Sequence, residues 1–226
     1  MNIYVAGETK NPKSMIILLH GYGANGQDLI SLSRDWASDL PDTIFISPDA
    51  PFPCDMMPPG VTGSYQWFSI RDVSPLSFLN GAYDEAARAV MPTLMTFIQE
   101  QLDLYHLKPK DLVLCGFSQG TMMSLLAGTR FSEPIGGILG YAGALLNGHD
   151  WGQNPPQKPP VCLIHGMADP VVPIAAYYHA AKMLQDYGFP FEGHTIPGLM
   201  HGIDQAAIAY GRQFLARVLK SDVIKL

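Results

Sequence analysis

A serine lies in the pentapeptide GFSQG at residues 116–120, which follows the apolar run 112–115 and precedes a stretch with helical character. A G-x-S-x-G sequence between a strand and a helix is typical of a nucleophile elbow, the sharp turn that exposes a serine for covalent catalysis. The turn needs glycines because larger side chains would collide there, and the serine itself adopts a strained conformation that costs about 1–3 kcal/mol. The pentapeptide therefore predicts that Ser118 is a nucleophile. The alternative, a buried and unreactive serine, is disfavoured by the flanking strand and helix.

A serine nucleophile needs a base, and the base needs an acidic group to orient it. After an elbow of this kind, the acid and then a histidine follow along the chain, on loops after later strands. Asp169 lies where the strand-like sequence VCLIH opens into GMADPVVP. Three rival carboxylates lie in an irregular loop or on predicted helix surfaces, where a solvated charge is the usual role; they are Asp150, Asp186 and Asp204. We predict that Asp169 is the acid.

Seven histidines compete for the role of base. His201 lies in PGLMHGID, between the last predicted strand and the last predicted helix, which places it on a loop at the carboxyl edge of the sheet. The other six occupy strand, helix or polar-loop positions; they are His20, His106, His149, His165, His179 and His194. His201 is therefore the predicted base. No H-x-H, H-x-x-x-H or H-E-x-x-H spacing occurs, so the sequence predicts no metal site.

The tetrahedral intermediate of acyl transfer carries negative charge on an oxygen, which backbone N–H donors must meet. One donor is expected from Gln119, directly after the nucleophile, and the other from the loop after the first core strand. That loop reads HGYGANG at residues 20–26, and its glycines allow close approach to a substrate. We predict that the N–H groups of Tyr22 and Gln119 form this oxyanion hole; a simple turn is the alternative for the glycine-rich loop.

Strand and helix signals alternate along the chain, which predicts a mostly parallel sheet with helices on both faces. The predicted strands are Ser14–His20, Thr43–Ser47, Leu112–Phe117, Gly136–Tyr141, Val161–His165 and Phe191–Ile196, with an antiparallel edge strand from the first few residues. Apolar residues at helical spacing predict helices over 83–106, after Pro173 and over 207–218. All 226 residues are expected to form a single domain.

A long segment, residues 48–82, interrupts this alternation and is rich in proline, methionine and aromatic residues. Loops of this length inside a domain are usually functional covers or disordered, and the aromatic content argues against disorder. We predict that it covers the active site. Its candidate substrate-binding residues are Phe52, Met56, Met57, Trp67, Phe68 and Leu76. A small core beneath the loop is an equally good interpretation of the same residues. Flexible thioethers favour the two methionines as the residues that face a ligand.

Composition excludes several classes of function. The net charge of -6 and the absence of a Lys/Arg cluster argue against nucleic acid as a partner. Residues 1–14 lack a secretory signal pattern and no apolar run could span a bilayer, so a cytoplasmic protein is expected. Cys115 and Cys162 lie in strand-like apolar runs and are predicted to be buried thiols. Cys54 is expected to be partly exposed and reactive.

The segments LLHGYGANGQDL, PDAPFP, WF, GFSQG, HGMADPVVP and GLMHG, in this order, resemble the carboxylesterase, lysophospholipase and acyl-protein thioesterase family of α/β-hydrolases across nearly the whole chain. The resemblance implies an α/β-hydrolase fold and a serine esterase without a cofactor. It places nucleophile, acid, base and oxyanion donors at the positions given above. The chain departs from the family pattern at two places that bear on the length of the substrate. Tyr22 replaces a frequent leucine, and Met122-Met123 replace residues that are often small. Both changes would narrow the acyl pocket. Met122 is therefore a further candidate substrate-binding residue.

The function expected from these features is hydrolysis of carboxylic esters through an acyl-enzyme intermediate. An acyl-protein thioesterase or lysophospholipase acting on long-chain lipids is the main alternative, and an amidase or a silent binding protein on the same fold is a weaker one. The expected partner is a small acyl ester or a lipid. Exposed apolar loop surface could serve a homodimer, a transient membrane contact or the acyl chain itself, and the sequence leaves these open.

Overall fold

The computed structural model describes residues 1–58, 60–71, 81–146, 151–152, 154 and 156–219. Its strands are β1 (Ile3–Gly7), β2 (Ser14–Leu19), β3 (Thr43–Pro48), β4 (Phe52–Pro53), β5 (Tyr65–Gln66), β6 (Leu112–Phe117), β7 (Gly137–Tyr141), β8 (Val161–Gly166) and β9 (Phe191–Ile196). Seven of them form one sheet in the order β1-β3-β2-β6-β7-β8-β9. Strand β1 pairs antiparallel with β3, and the other pairs are parallel.

Helices cover both faces of this sheet. They are α1 (Gly26–Ile30), α2 (Ser33–Trp36), α3 (Asp84–Leu104), α4 (Gln119–Gly128), α5 (Ile174–Asp186) and α6 (Gln205–Leu219). Helices α3, α4 and α5 contribute to one hydrophobic cluster, and α1, α2 and α6 contribute to the other, on the opposite face. Strands β2, β3, β7 and β8 are buried along their whole length, as expected for continuous apolar strands covered on both faces. The predicted α/β-hydrolase architecture is confirmed.

The described residues 52–58 and 60–68 between β3 and α3 pack at the carboxyl ends of β2 and β6, against the loop after β2 and the start of α4. Strands β4 and β5 form a small antiparallel hairpin, and Tyr65 exchanges two backbone hydrogen bonds of 2.8 Å with Gly23 and Ala24 in the loop after β2. Because this hairpin is hydrogen-bonded to the loop after β2, its position determines which residues lie next to the elbow. Residues 72–80, which include the candidate Leu76, lie outside the described residues.

Cys54 is buried, with 5% of its surface exposed, so the expectation of a partly exposed thiol at this position is wrong. Cys54 extends the hairpin, since its N–H donates to the Ser64 carbonyl at 2.9 Å. Its thiol faces the loop after β2, where a Cβ added to Gly23 would lie 3.9 Å from Sγ, and local polarity in the sequence could not indicate this contact. Among the described residues, no helix has the length and apolar character needed to cross a membrane.

Candidate active site

Ser118 lies in a sharp turn between β6 and α4. Its φ of 54° and ψ of −115° fall in a region that L-residues rarely adopt. A side chain at Gly120 would overlap the carbonyl of Leu19 on the neighbouring strand, and one at Gly116 would overlap the backbone of Gly120. Both glycines of the pentapeptide are therefore required by backbone packing, as the sequence pattern predicts.

Hydrogen bonds on the far side of the turn hold this conformation. The Ser118 N–H donates to the Tyr141 carbonyl at the end of β7, at 2.8 Å. The hydroxyl of Thr121 lies 2.8 Å from both the Gly116 and the Tyr141 carbonyl oxygens and accepts from the Tyr141 N–H at 3.0 Å. The strained turn is thus fixed to two adjacent strands before any substrate arrives.

A continuous hydrogen-bonded chain links the hydroxyl of Ser118 to the carboxylate of Asp169. His201 Nε2 lies 3.0 Å from Ser118 Oγ, and His201 Nδ1 lies 2.7 Å from Asp169 Oδ2. A carboxylate only accepts hydrogen bonds, so the imidazole proton resides on Nδ1 and leaves Nε2 free to take the serine proton. The structure therefore brings the three predicted residues together in an arrangement able to support general-base and nucleophilic catalysis.

The carboxylate of Asp169 is held in place by its own loop. Its Oδ1 accepts hydrogen bonds from the N–H groups of Val171 and Val172, at 2.8 and 2.9 Å. Burial alone would raise the pKa of Asp169, but the hydrogen bonds from His201 and these two N–H groups outweigh it and lower the pKa. Asp169 is therefore ionised at neutral pH, as an orienting acid must be.

A second histidine lies beneath this loop. His165 Nε2 is 2.9 Å from the Val172 carbonyl, to which it donates, and 3.4 Å from Asp169 Oδ2. Burial lowers the pKa of His165. A neutral, hydrogen-bonded His165 fits the packing role that the sequence predicts for it.

One expected oxyanion donor, Gln119, belongs to the elbow, and the other, Tyr22, belongs to the loop after β2. Within the described part of the chain, the N–H groups of Tyr22 and Gln119 donate no hydrogen bond to a protein acceptor. The loop after β2 packs closely on the elbow, since a Cβ added to Gly21 would lie 3.3 Å from Ser118 Cβ. Two free donors beside a nucleophile could stabilise an oxyanion.

Buried side chains hydrogen-bond both the elbow and the loop after β2 to the segment after β5. The Gln119 amide accepts from the Trp67 N–H at 2.8 Å and donates to the Phe68 carbonyl at 2.7 Å. The Trp67 indole donates to the His20 carbonyl at 2.9 Å. His20 Nδ1 donates to the Gly21 carbonyl at 2.7 Å, and its Nε2 accepts from the Ala50 N–H at 2.9 Å. These bonds connect the elbow, the loop after β2 and the covering segment.

The two buried histidines make stability depend on pH. Burial lowers the pKa values of His20 and His165 in the folded state, whereas unfolding restores a value near 6.5. Because the unfolded chain then binds protons that the folded chain refuses, the free energy of unfolding falls as pH drops below about 6.5, by up to about 1.4 kcal/mol per pH unit for each histidine. Urea unfolding between pH 7.5 and 5.0 measures this slope.

Substitution separates this effect from other titrations. His20→Gln and His165→Gln should each flatten the slope, while His179→Gln, at an exposed position on α5, should leave it unchanged. The lowered pKa of Asp169 acts in a different window, because its stabilisation is present above the ordinary value near 4 and is lost only at lower pH. An unchanged slope in both buried-histidine variants would contradict this account.

A cavity of about 150 Å³ opens beside the Ser118 hydroxyl. It is lined by Tyr22, Ile70, Ser118, Gln119, Met122, Val171, Val172 and His201. Among the candidate substrate-binding residues within the described part of the chain, Met122 lines this cavity. Three further lining residues, Ile70, Val171 and Val172, were not predicted from the sequence. The two valines come two and three residues after the acid in DPVVP, a position that could have identified them.

The other candidates from the covering segment lie elsewhere. Trp67 and Phe68 are 0% and 3% exposed and belong to the hydrophobic core, which matches the alternative interpretation of a core beneath the loop. Met56 and Met57 are 62% and 40% exposed and do not line this cavity. Phe52 is also exposed. These side chains support or surround the site without lining the space next to Ser118.

One group of metal-ligand side chains occurs in the described residues, away from Ser118. The ligand atoms of Cys162, Glu192 and His194 on β8 and β9 lie within 4.8 Å of one another. Glu192 already pairs with Arg217 at 2.6 Å. Residue spacing along the sequence does not reveal this group, because its side chains come from two different strands.

Comparisons with known proteins point to one family. The chain matches the model of the Phospholipase/Carboxylesterase family over residues 2–219. An acyl-protein thioesterase 1 from Gibberella zeae is 31% identical over 200 residues, which are 82% of this chain and 82% of the relative. A probable carboxylesterase from Oryza sativa subsp. japonica is 26% identical over 211 residues, 88% of this chain and 86% of the relative. The crystal structure of esterase PE8 has 34% sequence identity and a TM-score of 0.85, covering 96% of this chain and 98% of that one.

Proposed function

The chain belongs to the phospholipase and carboxylesterase family of α/β-hydrolases, and we propose that it hydrolyses carboxylic esters through an acyl-enzyme formed on Ser118. The observation that carries this proposal is the hydrogen-bonded chain from Ser118 Oγ through His201 to Asp169, with steps of 3.0 and 2.7 Å. A serine without a catalytic role would not require a strained turn, an imidazole hydrogen-bonded to its oxygen and a buried carboxylate behind that imidazole.

Acylation begins when His201 Nε2 removes the proton from Ser118 Oγ as this oxygen attacks the ester carbonyl. General-base assistance of this kind contributes roughly 100- to 10,000-fold in rate. The negative oxygen of the tetrahedral intermediate accepts hydrogen bonds from the N–H groups of Tyr22 and Gln119. Asp169 stabilises the positive imidazolium, which then donates its proton to the departing alcohol as the carbonyl re-forms.

Deacylation repeats these steps with water. His201 takes a proton from the water as its oxygen attacks the acyl carbon, and the same two N–H groups hold the second oxyanion. Collapse of this intermediate breaks the bond to Ser118 Oγ, which recovers a proton from His201, and the carboxylic acid departs. Every proton transfer is internal, so the reaction consumes one water and needs no cofactor.

Thioester hydrolysis is the second candidate activity. Relatives of this chain carry the name acyl-protein thioesterase 1, including the Gibberella zeae protein at 31% identity. A thioester presents the same acyl carbon, and a thiolate leaves more readily than an alkoxide. The proposed residues would therefore act in the same roles, and only the surroundings of the leaving group would differ.

Matched substrates test these two activities against each other. We expect the purified protein to hydrolyse 4-nitrophenyl butanoate and a butanoyl thioester but to leave the corresponding butanoyl anilide intact on the same time scale. A thioester-to-ester ratio of kcat/KM above about ten, with alkyl leaving groups of equal length, would favour the thioesterase. Faster cleavage of the anilide, or no cleavage of any of the three by folded protein, would contradict the proposal.

A further inference from the structure

The cavity beside Ser118 is small. Its volume is about 150 Å³, and four of its lining residues, Tyr22, Ser118, Gln119 and His201, are those assigned to the chemistry. By volume alone, a space of this size holds a molecule of about the size of benzene. About six carbon atoms therefore fill the space next to the attacking oxygen, including the acyl carbon itself.

Met122 closes one side of this space. It lies on α4 four residues after Ser118, and both residues line the cavity. The side chain is 1% exposed and packs into the core cluster that α4 shares with α3. Because its surroundings are closely packed, the Met122 thioether has little room to move away from a longer acyl chain.

Tyr22 also lines this space, and its side chain is anchored. Its hydroxyl donates to the Asp55 carboxylate in the covering segment. Burial and this hydrogen bond raise the pKa of the phenol, so the donor is retained at any working pH. A ring held by a charged acceptor resists displacement more than a free apolar side chain would.

On the basis of the proposed function, we propose that this cavity is the acyl-binding subsite, that it admits acyl groups of up to about six carbon atoms, and that Met122 sets this limit. Each methylene that enters the cavity should raise kcat/KM about fourfold. Chains longer than the cavity must leave it or displace packed side chains, so kcat/KM falls again. The substrate class is a short-chain ester, and long-chain lipids are excluded.

Two series of esters test this proposal. In the first, the acyl group runs from acetyl to dodecanoyl with 4-nitrophenol as the constant leaving group, each ester kept below its solubility limit. In the second, the acyl group is acetyl and the alcohol lengthens. We expect an optimum between butanoyl and hexanoyl in the first series, at least tenfold above octanoyl and longer chains. An optimum at octanoyl or beyond, or a dependence on alcohol length alone, overturns the proposal.

Substitutions in the cavity wall test which residue sets the limit on acyl length. Met122→Ala should move the optimum about two to three carbons longer, whereas Met123→Ala, at a buried core position outside the cavity lining, should leave it where it is. Ile70 is only partly buried, so Ile70→Phe should fold readily and should shift the optimum towards acetyl. If Met122→Ala folds and keeps the wild-type optimum, or if Ile70→Phe does not shorten it, the cavity is not the acyl subsite.

The acyl limit and the proposed function fail in different ways. Efficient hydrolysis of long-chain esters that depends on Ser118 overturns the limit and leaves the esterase intact. Folded protein that cleaves no ester of any length overturns the proposed function, and with it the acyl subsite.

Discussion

Replacement of Ser118 by alanine is expected to lower kcat/KM for 4-nitrophenyl butanoate by about 10⁵- to 10⁶-fold. Removal of the nucleophile alone has an effect of this order in a serine hydrolase of another fold, and what remains comes from oxyanion donors and binding. The substitution deletes one oxygen, and the turn stays fixed through backbone hydrogen bonds such as that from the Ser118 N–H to Tyr141. We therefore expect the free energy of unfolding to change little.

Ser124→Ala is the matched control for this substitution. Ser124 is a fully buried serine on the same helix, and its hydroxyl donates to the Gly120 carbonyl at 2.8 Å. It does not line the cavity. The control should keep kcat/KM within a fewfold of the wild type. A Ser118→Ala protein with more than a tenth of the wild-type activity would show that the covalent catalyst lies elsewhere.

Replacement of His201 by alanine should also lower kcat/KM by about 10⁵-fold or more, because the serine hydroxyl loses its base and the leaving group loses its acid. The affinity for substrate should change far less, so the loss should appear in kcat. Stopped assays with the Ser118→Ala protein as the background correction measure both constants. Activity independent of His201 would contradict the proton transfers given above.

The double variant gives an internal check on this role. Residues that act as one unit show strongly non-additive effects, so Ser118→Ala with His201→Ala should be little worse than either substitution alone. His179→Ala, at an exposed helix position, controls for the loss of an imidazole as such. Additive losses in the double variant would indicate that His201 and Ser118 act independently.

The sequence predicted the positions of Ser118, Asp169 and His201 because each follows a strand of a parallel sheet. The carboxyl ends of β6, β8 and β9 lie at the same edge, so residues far apart in the chain are placed together by topology alone. The glycines around Ser118 carried independent information, since backbone packing leaves no space for a side chain at either position. Local chemistry and topology gave consistent predictions there.

The cavity lining could not be predicted in the same way. Trp67 and Phe68 are apolar whether they face a ligand or the core, and their hydrogen bonds to Gln119 and His20 depend on the path of the covering segment. That path is fixed by pairing between β5 and the loop after β2, a contact with no periodic pattern in the sequence. For the same reason, the burial of Cys54 between the hairpin and the loop after β2 could not be foreseen.

Labelling with a fluorophosphonate tests the central claim most directly, because this reagent forms a bond only with a serine that a base has activated. We expect one adduct per chain in the wild type and in Ser124→Ala, located by mass spectrometry on the peptide that contains Ser118. We expect no adduct in Ser118→Ala and strongly slowed labelling in His201→Ala. Absence of labelling in folded wild-type protein, or an adduct on any other residue, would contradict the assignment of Ser118 as the nucleophile.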